Sequence, residues 1–245
     1  MDPRLAVVDE MLADVSRILA VTGGKGGIGK SLVASTLALL LARSGRRTGL
    51  LDLDLTSPSD HVVLGAESRF PDEEFGVDPL PVHGIRFMST SLFAGDTPAP
   101  LRGEDVTNAI LELLAITRWG SLDVLVIDMP PGLGDATLDA VRLIPRAEYL
   151  AVATGSSVVL ETVRKTLRLH TELGTRITGV VENMKRGESA TVRDLASSFR
   201  VPLLGELPYD ETIESTIGDA ERLAGTPFAK ALHGVIEPLF PSDPG

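Results

Sequence analysis

A β-type run, Ile18 to Thr22, feeds directly into a glycine-rich turn that gives way at Lys30 to a long apolar helical run. No other stretch limits the fold so tightly. Gly24, Gly29, Lys30 and Ser31 fit the phosphate-loop pattern G-x-x-x-x-G-K-S/T in its required strand–loop–helix context. Glycines allow positive φ and let backbone N–H groups approach phosphate oxygens. The helix N-terminus adds partial positive charge, Lys30 is placed to pair with β- and γ-phosphates, and Ser31 to offer its hydroxyl to Mg²⁺. The expected cradle is therefore Gly24, Lys25, Gly26, Gly27, Ile28, Gly29, Lys30, Ser31 and Leu32. A plain glycine turn before a helix accounts for one or two of these glycines, but not for Lys-Ser at that spacing.

The rest of the chain alternates strand and helix signals. Apolar residues at helical spacing over Leu5 to Val15 predict a short N-terminal helix. SLVASTLALLLARSG is apolar nearly all round, as a helix buried against a sheet must be. TGLLDLDL, IRFMS, VLVID, YLAVA, ITGVVEN and VPLLGELP read as strands. Helices are expected from Glu104 to Arg118, around Leu160 to Gly174, over ATVRDLASSFR, and from about Thr226 to Glu237. Gly65 to Gly84, with an acidic patch at Asp72, Glu73 and Glu74, reads as an irregular surface excursion, and Gly95 to Gly103 as a loop. Such alternation predicts an α/β fold: a three-layer, doubly wound, mostly parallel sheet of the P-loop NTPase type. No repeat or linker divides the chain. One domain over 1–245 is expected, with 1–17 as a helical extension.

Composition removes whole classes of chemistry. There are no cysteines, hence no disulfide, thiolate metal site or thiol catalysis. The four histidines lack metal-binding spacing. A formal charge of −11, spread along the chain, disfavours binding to nucleic acid or an anionic membrane. The start has no secretory pattern, and the longest purely apolar run, Leu37 to Ala42, is far short of the roughly 18–20 residues that span a bilayer. The expectation is a cytoplasmic protein with no nucleic-acid or membrane partner.

In open α/β sheets the active crevice lies outside the carboxyl ends of the strands, and the informative polar residues fall there. Asp128 ends VLVID, where a Walker-B-type aspartate holds the Mg²⁺ shell, although a strand-ending carboxylate also serves as a plain cap. PPGLGD follows, and Gly132 lets a backbone N–H meet a γ-phosphate. Asp52 and Asp54 alternate, so a continuing strand would point them to opposite faces. Asp54 is assigned to the attacking water, and Asp52 to the Mg²⁺ outer shell or to capping the strand end. From spacing alone, Lys25 is equally a solvated loop charge.

GKGGIGKS resembles the deviant Walker A of the MinD/ParA superfamily of P-loop ATPases. DLDLTSPSDHVVLG, IDMPPGLGD, GVVENM and LLGELPYD resemble the Mrp/ApbC branch, in that family's order, over about Ile18 to Asp210. The resemblance implies an ATPase that uses ATP and Mg²⁺ and forms a homodimer around the nucleotide. It implies that Lys25 reaches the partner's phosphates, with Lys30 and Asp54 as the other catalytic residues. Ser31, Asp52 and Asp128 would serve the metal, Asn183 would recognise adenine, and the loop at Pro208 would close over the base. Without the resemblance, Asn183 reads equally as a turn former.

Two departures matter. Leu32 replaces the second hydroxyl residue usual after the loop serine, so one α-phosphate contact is lost. The family's C-x-x-C, which holds an iron–sulfur cluster between two protomers, is replaced by KRGESATVRDLASSFRV. Clusters need thiolates, so this homodimer alone is not expected to hold one. Iron–sulfur assembly would then run through a cysteine-bearing paralogue or client. The alternatives are a MinD/ParA-type positioning ATPase, against which the tail IEPLFPSDPG, broken by prolines and without Lys or Arg, argues, and a non-hydrolysing nucleotide sensor, hinted at by Leu32.

Overall fold

The structure is a computed structural model that describes residues 4–67, 70–71, 76–94 and 104–241. The acidic patch at 72–74, the loop at 95–103 and the last four tail residues lie outside the described residues. From the N-terminus the elements are α1 (Arg4–Leu12), β1 (Ile18–Thr22), α2 (Lys30–Arg43), β2 (Thr48–Asp52) and α3 (Asp60–Leu64). There follow β3 (Leu80–Val82), β4 (Ile85–Ser89), α4 (Ser91–Ala94), α5 (Glu104–Ile116), β5 (Val124–Asp128) and α6 (Asp135–Leu143). The chain continues through β6 (Glu148–Ala153), α7 (Ser157–Glu172), β7 (Arg176–Lys185), α8 (Thr191–Ser198) and β8 (Leu203–Pro208). A 3₁₀ turn at Ile213–Thr216, α9 (Ala220–Ala224) and α10 (Pro227–Ile236) complete it.

The described strands form one sheet in the order β3-β4-β2-β5-β1-β6-β7-β8, parallel throughout except for β3 against β4. Every residue of β1, β2 and β5 is buried, as strands covered on both faces require. Helix α2 buries Val33, Ala34, Leu37, Ala38, Leu39 and Leu41, nearly its full circumference. It packs with α3, α9 and α10, whereas α5 packs with α1 and α6. The expected mostly parallel α/β sheet is therefore observed. Among the described residues no helix is long and apolar enough to cross a membrane.

Register positions the chemistry. The connection from β1 runs to β2 on one side, whereas that from β5 crosses β1 to β6 on the other, which makes the carboxyl ends of β1 and β5 the switch point where a crevice opens. Asp128 lies opposite Val21 on one side and opposite Asp52 on the other. The end of β1 and both aspartates thus share one rim.

Several elements differ from the sequence expectation. Helix α1 stops at Leu12, and Val15 makes a bridge with Leu122 instead. Within the stretch read as irregular, β3 forms and pairs with the expected strand β4 in a hairpin whose two-residue turn, His83 and Gly84, has φ of 48° and 80°. Two successive positive φ values match the twist of antiparallel strands. Helix α6 stands where no helix was expected, because its buried face includes Thr137 among few apolar residues. Strand β2 ends at Asp52, two residues before Asp54.

Candidate functional site

The phosphate loop closes over the end of β1. Gly29 caps α2 with φ 81°, a left-handed conformation, and a Cβ there would overlap the amide nitrogen of Asn183. That nitrogen donates to the Ile28 carbonyl at 2.9 Å, so the buried end of β7 is tied to the loop. Gly24 lies equally close to Thr162 of α7, with no room for a side chain.

Below the loop, Lys30 Nζ meets Asp128 Oδ1 at 2.5 Å, the lysine 6% exposed and the carboxylate fully enclosed. Burial pushes the Asp128 carboxyl up, against the opposing pull of Lys30 and Ser31. Asp52 Oδ1 accepts from the Asp54 N–H at 3.0 Å, and Oδ2 from the Ser59 and Asp60 N–H groups at 3.2 and 3.4 Å. Burial, followed by the neighbouring Asp128, pushes Asp52 up to about 7. These bonds end the strand by pulling the chain into a turn. The alternation argument, which needs a continuing strand, therefore does not apply to this pair. Asp54 stands above the buried Asp52, its Oδ1 accepting from the Thr56 hydroxyl at 2.8 Å and from the Thr56 and Ser57 N–H groups.

A cavity of about 450 Å³ opens over this floor. It is lined by Lys25, Gly26, Gly27, Gly29, Lys30, Ser31, Leu32 and Asp54, with Thr56, Ser57, Ser59, Val63 and Pro131. Lys25 is exposed within it. Most of the residues singled out from sequence thus converge. Gly24, Ile28 and Asn183 stand behind the loop, outside the lining. Gly132, with φ 80°, lies one residue beyond the lining Pro131. Pro208 closes β8 next to Lys185, away from the lining. Asp60, given no role of its own within DLDLTSPSDHVVLG, is fully buried beside Asp52 and Asp128. Nothing in its local sequence sets it apart from a helix-opening aspartate. A larger cavity of about 620 Å³ lies near the amino ends of the strands, between Ser16, Arg46, Asp123 and Phe240. It has no glycine cradle and no buried lysine–carboxylate pair.

The model of one protein family, the ParA family described as NUBPL iron-transfer P-loop NTPase, matches residues 14–237. The chain belongs to this family. Among its relatives is the iron-sulfur cluster carrier protein of Pseudomonas fragi, 43% identical over 178 residues, covering 71% of this chain and 62% of that protein. The carrier protein of Saccharolobus solfataricus is 34% identical over 239 residues, covering 90% of this chain and 79% of its own length. Against the Pseudomonas relative, then, the chain spans less than two thirds of the length. Of solved structures, the nucleotide-binding protein of Archaeoglobus fulgidus in complex with ADP superposes with a TM-score of 0.77 at 26% identity, covering 92% of this chain and 95% of that one. The septum site-determining protein MinD of Pyrococcus horikoshii shares the fold at 22% identity, with a TM-score of 0.69 over 92% of this chain and 96% of its own. The ParA and Mrp/ApbC resemblance read from the motifs and the P-loop NTPase fold are both upheld by these matches.

Proposed function

We propose that the chain binds and hydrolyses Mg·ATP as a homodimeric switch whose cycle governs contact with an iron–sulfur client or a cysteine-bearing carrier. The observation that carries this reading is the buried Lys30–Asp128 pair at the foot of a glycine cradle. A lysine held at 2.5 Å from an enclosed carboxylate is a charge stored for an anion that arrives over it. Phosphoryl transfer asks the protein mainly for positioning and charge neutralisation. Lys30 exchanges its contact with Asp128 for β- and γ-phosphate oxygens, and the loop amides bind the rest of the polyphosphate. Asp54, with Oδ1 committed to its own turn, keeps Oδ2 to orient the attacking water. Lys25 reaches the phosphates of the partner protomer. Asn183 meets the adenine while its amide nitrogen braces the loop, and Pro208 closes over the base.

The donor set suits a hard divalent cation. Ser31 supplies a hydroxyl, Asp52 and Asp128 supply carboxylates, and Asp128 Oδ2 is buried without a hydrogen-bond partner among the described residues. Mg²⁺ held there supplies charge neutralisation for the β- and γ-oxygens. Asp128 and Gly132, at the start of the loop before α6, would sense the γ-phosphate and relax on its release.

Iron–sulfur chemistry is different, because this chain has no thiolate to offer. In the interval that follows Asn183 and Met184, Lys185 pairs with Glu182 at 2.8 Å and Glu206 at 3.5 Å. Arg186 stacks on Tyr209, 3.6 Å from the ring centre. The cluster is then cargo whose sulfur ligands come from another chain. ATP turnover in the full chain tests the enzymatic core. Lys30→Ala and Asp54→Ala should each cut it by an order of magnitude or more, as loss of a charge-stabilising group does. Unchanged rates in both variants would sink the assignment.

A further inference from the structure

Asp60 has no role in the proposed function, yet it is as fully enclosed as Asp52 and Asp128 beside it. It opens α3, is 0% exposed, and turns its side chain inward. Ser35 of α2 donates to Oδ1 at 2.6 Å, which fixes the carboxylate in place. Asp60 Oδ2 is buried with no hydrogen-bond partner among the described residues, and Asp128 Oδ2 is in the same condition. A buried carboxylate oxygen left unpaired carries a large desolvation penalty, so it implies a group that completes it.

The surroundings say what kind of group. A carboxylate oxygen from each of Asp52, Asp60 and Asp128 lies within 4.8 Å of those from the other two. Ligands on opposite sides of a hexacoordinate Mg²⁺ stand ~4.2 Å apart, and those around a larger cation ~4.8 Å, so this spread fits a single ion. Charge gives the same answer. Among the described residues the one cation acting on these three groups is Lys30, with Asp54 adding further negative charge to Asp128. With all three ionised, three carboxylates against one ammonium leave a deficit of two charges, which one divalent cation matches; without it, burial and mutual repulsion push Asp52 and Asp60 toward their protonated forms. All three donors are hard oxygens.

We propose that Asp60 joins Asp52 and Asp128 in a three-carboxylate site that holds one divalent cation before any nucleotide arrives. The proposal rests on the reading of the crevice as a Mg·ATP site and extends it. A switch of this kind is loaded with metal first. Lys30 and the cation together neutralise the floor, and Lys30 is free to leave for the phosphates without stranding Asp128. Ser35, through Asp60, then ties the metal to the phosphate-loop helix.

The test is Mn²⁺ binding to the nucleotide-free full chain, read by electron paramagnetic resonance of the free ion, with Mg²⁺ as competitor. The wild type should bind one Mn²⁺ per chain, displaced by Mg²⁺. Asp60→Asn, nearly isosteric, should weaken binding roughly tenfold to a hundredfold, the range seen when metal-supporting groups are removed. Ser35→Ala, which leaves all three carboxylates in place, should keep the stoichiometry at one. Wild-type binding is read without reference to whether any variant folds. If the wild type takes up no Mn²⁺ at millimolar ion without nucleotide, or if a folded Asp60→Asn binds as tightly as wild type, the site is refuted. Uptake of Mn²⁺ only together with ATP would refute this inference and leave the ATP reading intact. Binding of neither ATP nor Mn·ATP would remove both.

Discussion

Lys25 and Lys30 belong to one loop, and their surroundings divide their tasks. Lys30 is enclosed and paired, so removing it strands a buried carboxylate, a change that costs several kcal/mol in comparable sites. Lys25 is exposed on the cavity rim, with no salt bridge or hydrogen bond among the described residues. A charge so placed contributes little to the fold of one protomer, and its use lies in what approaches the rim. The expected result for Lys25→Ala is therefore a folded protein that still binds ATP but no longer dimerises in its presence. Light scattering with and without ATP measures this, and an ATP-dependent dimer undiminished in the variant would remove Lys25 from the partner's site. Spacing leaves a solvated lysine and this role open; the later family segments imply the role, and the dimer measurement decides it. Asp60 shows the opposite limit. Its inward turn depends on Ser35, twenty-five residues earlier in the chain, and on two strand ends brought alongside by register. No local pattern encodes such a meeting.

At the level of elements, legibility followed burial. Strands β1, β2 and β5 and helix α2 were readable because helices or strands enclosed on all sides leave near-continuous apolar runs. Helix α6 was not, since its buried side is partly Thr137 and small residues, and strand β3 hides behind Pro81 and a His-Gly turn. Helix α7 carries a further element-scale consequence. His170, on its inner face, is 0% exposed, its ring 4.1 Å from that of Tyr149. Nδ1 meets the Thr175 hydroxyl at 2.8 Å, and Nε2 has no partner among the described residues. Burial lowers its pKa from 6.5 to about 4. The folded state therefore resists a proton that the unfolded chain accepts. The stability contributed by neutral His170 is complete above pH 6.5 and is lost as pH falls from there toward 4, by up to about 3 kcal/mol. Melting temperatures of wild type and His170→Gln between pH 8 and 4.5 isolate this group from the carboxylates. The wild type should lose its advantage over the variant across that window, and a constant difference would show that His170 does not titrate there.

Over the whole molecule, the nucleotide rim and the segment after Asn183 are joined by one strand. β7 runs from Arg176 to Lys185, so Asn183, bonded to the phosphate loop, and Lys185, anchored to Glu182 and Glu206, lie on the same rigid element. In the proposed cycle, a change in the loop on hydrolysis would be carried along β7 to the surface that follows Asn183. Here that surface presents Arg186 stacked on Tyr209, and charged side chains in place of thiols. The proposed ATP switch thus lies in a chain without thiolates, a division of labour that a cysteine-bearing partner would complete. Anaerobic reconstitution with iron and sulfide tests this directly. The chain alone should show no cluster absorbance after desalting, with or without ATP. Mixed with a cluster-loaded relative that carries the C-x-x-C, it should co-elute in an ATP-dependent manner, and Lys30→Ala should abolish the dependence on ATP. A cluster retained by the isolated chain would mean that oxygen or nitrogen ligands suffice, and the dependence on a second chain would fall.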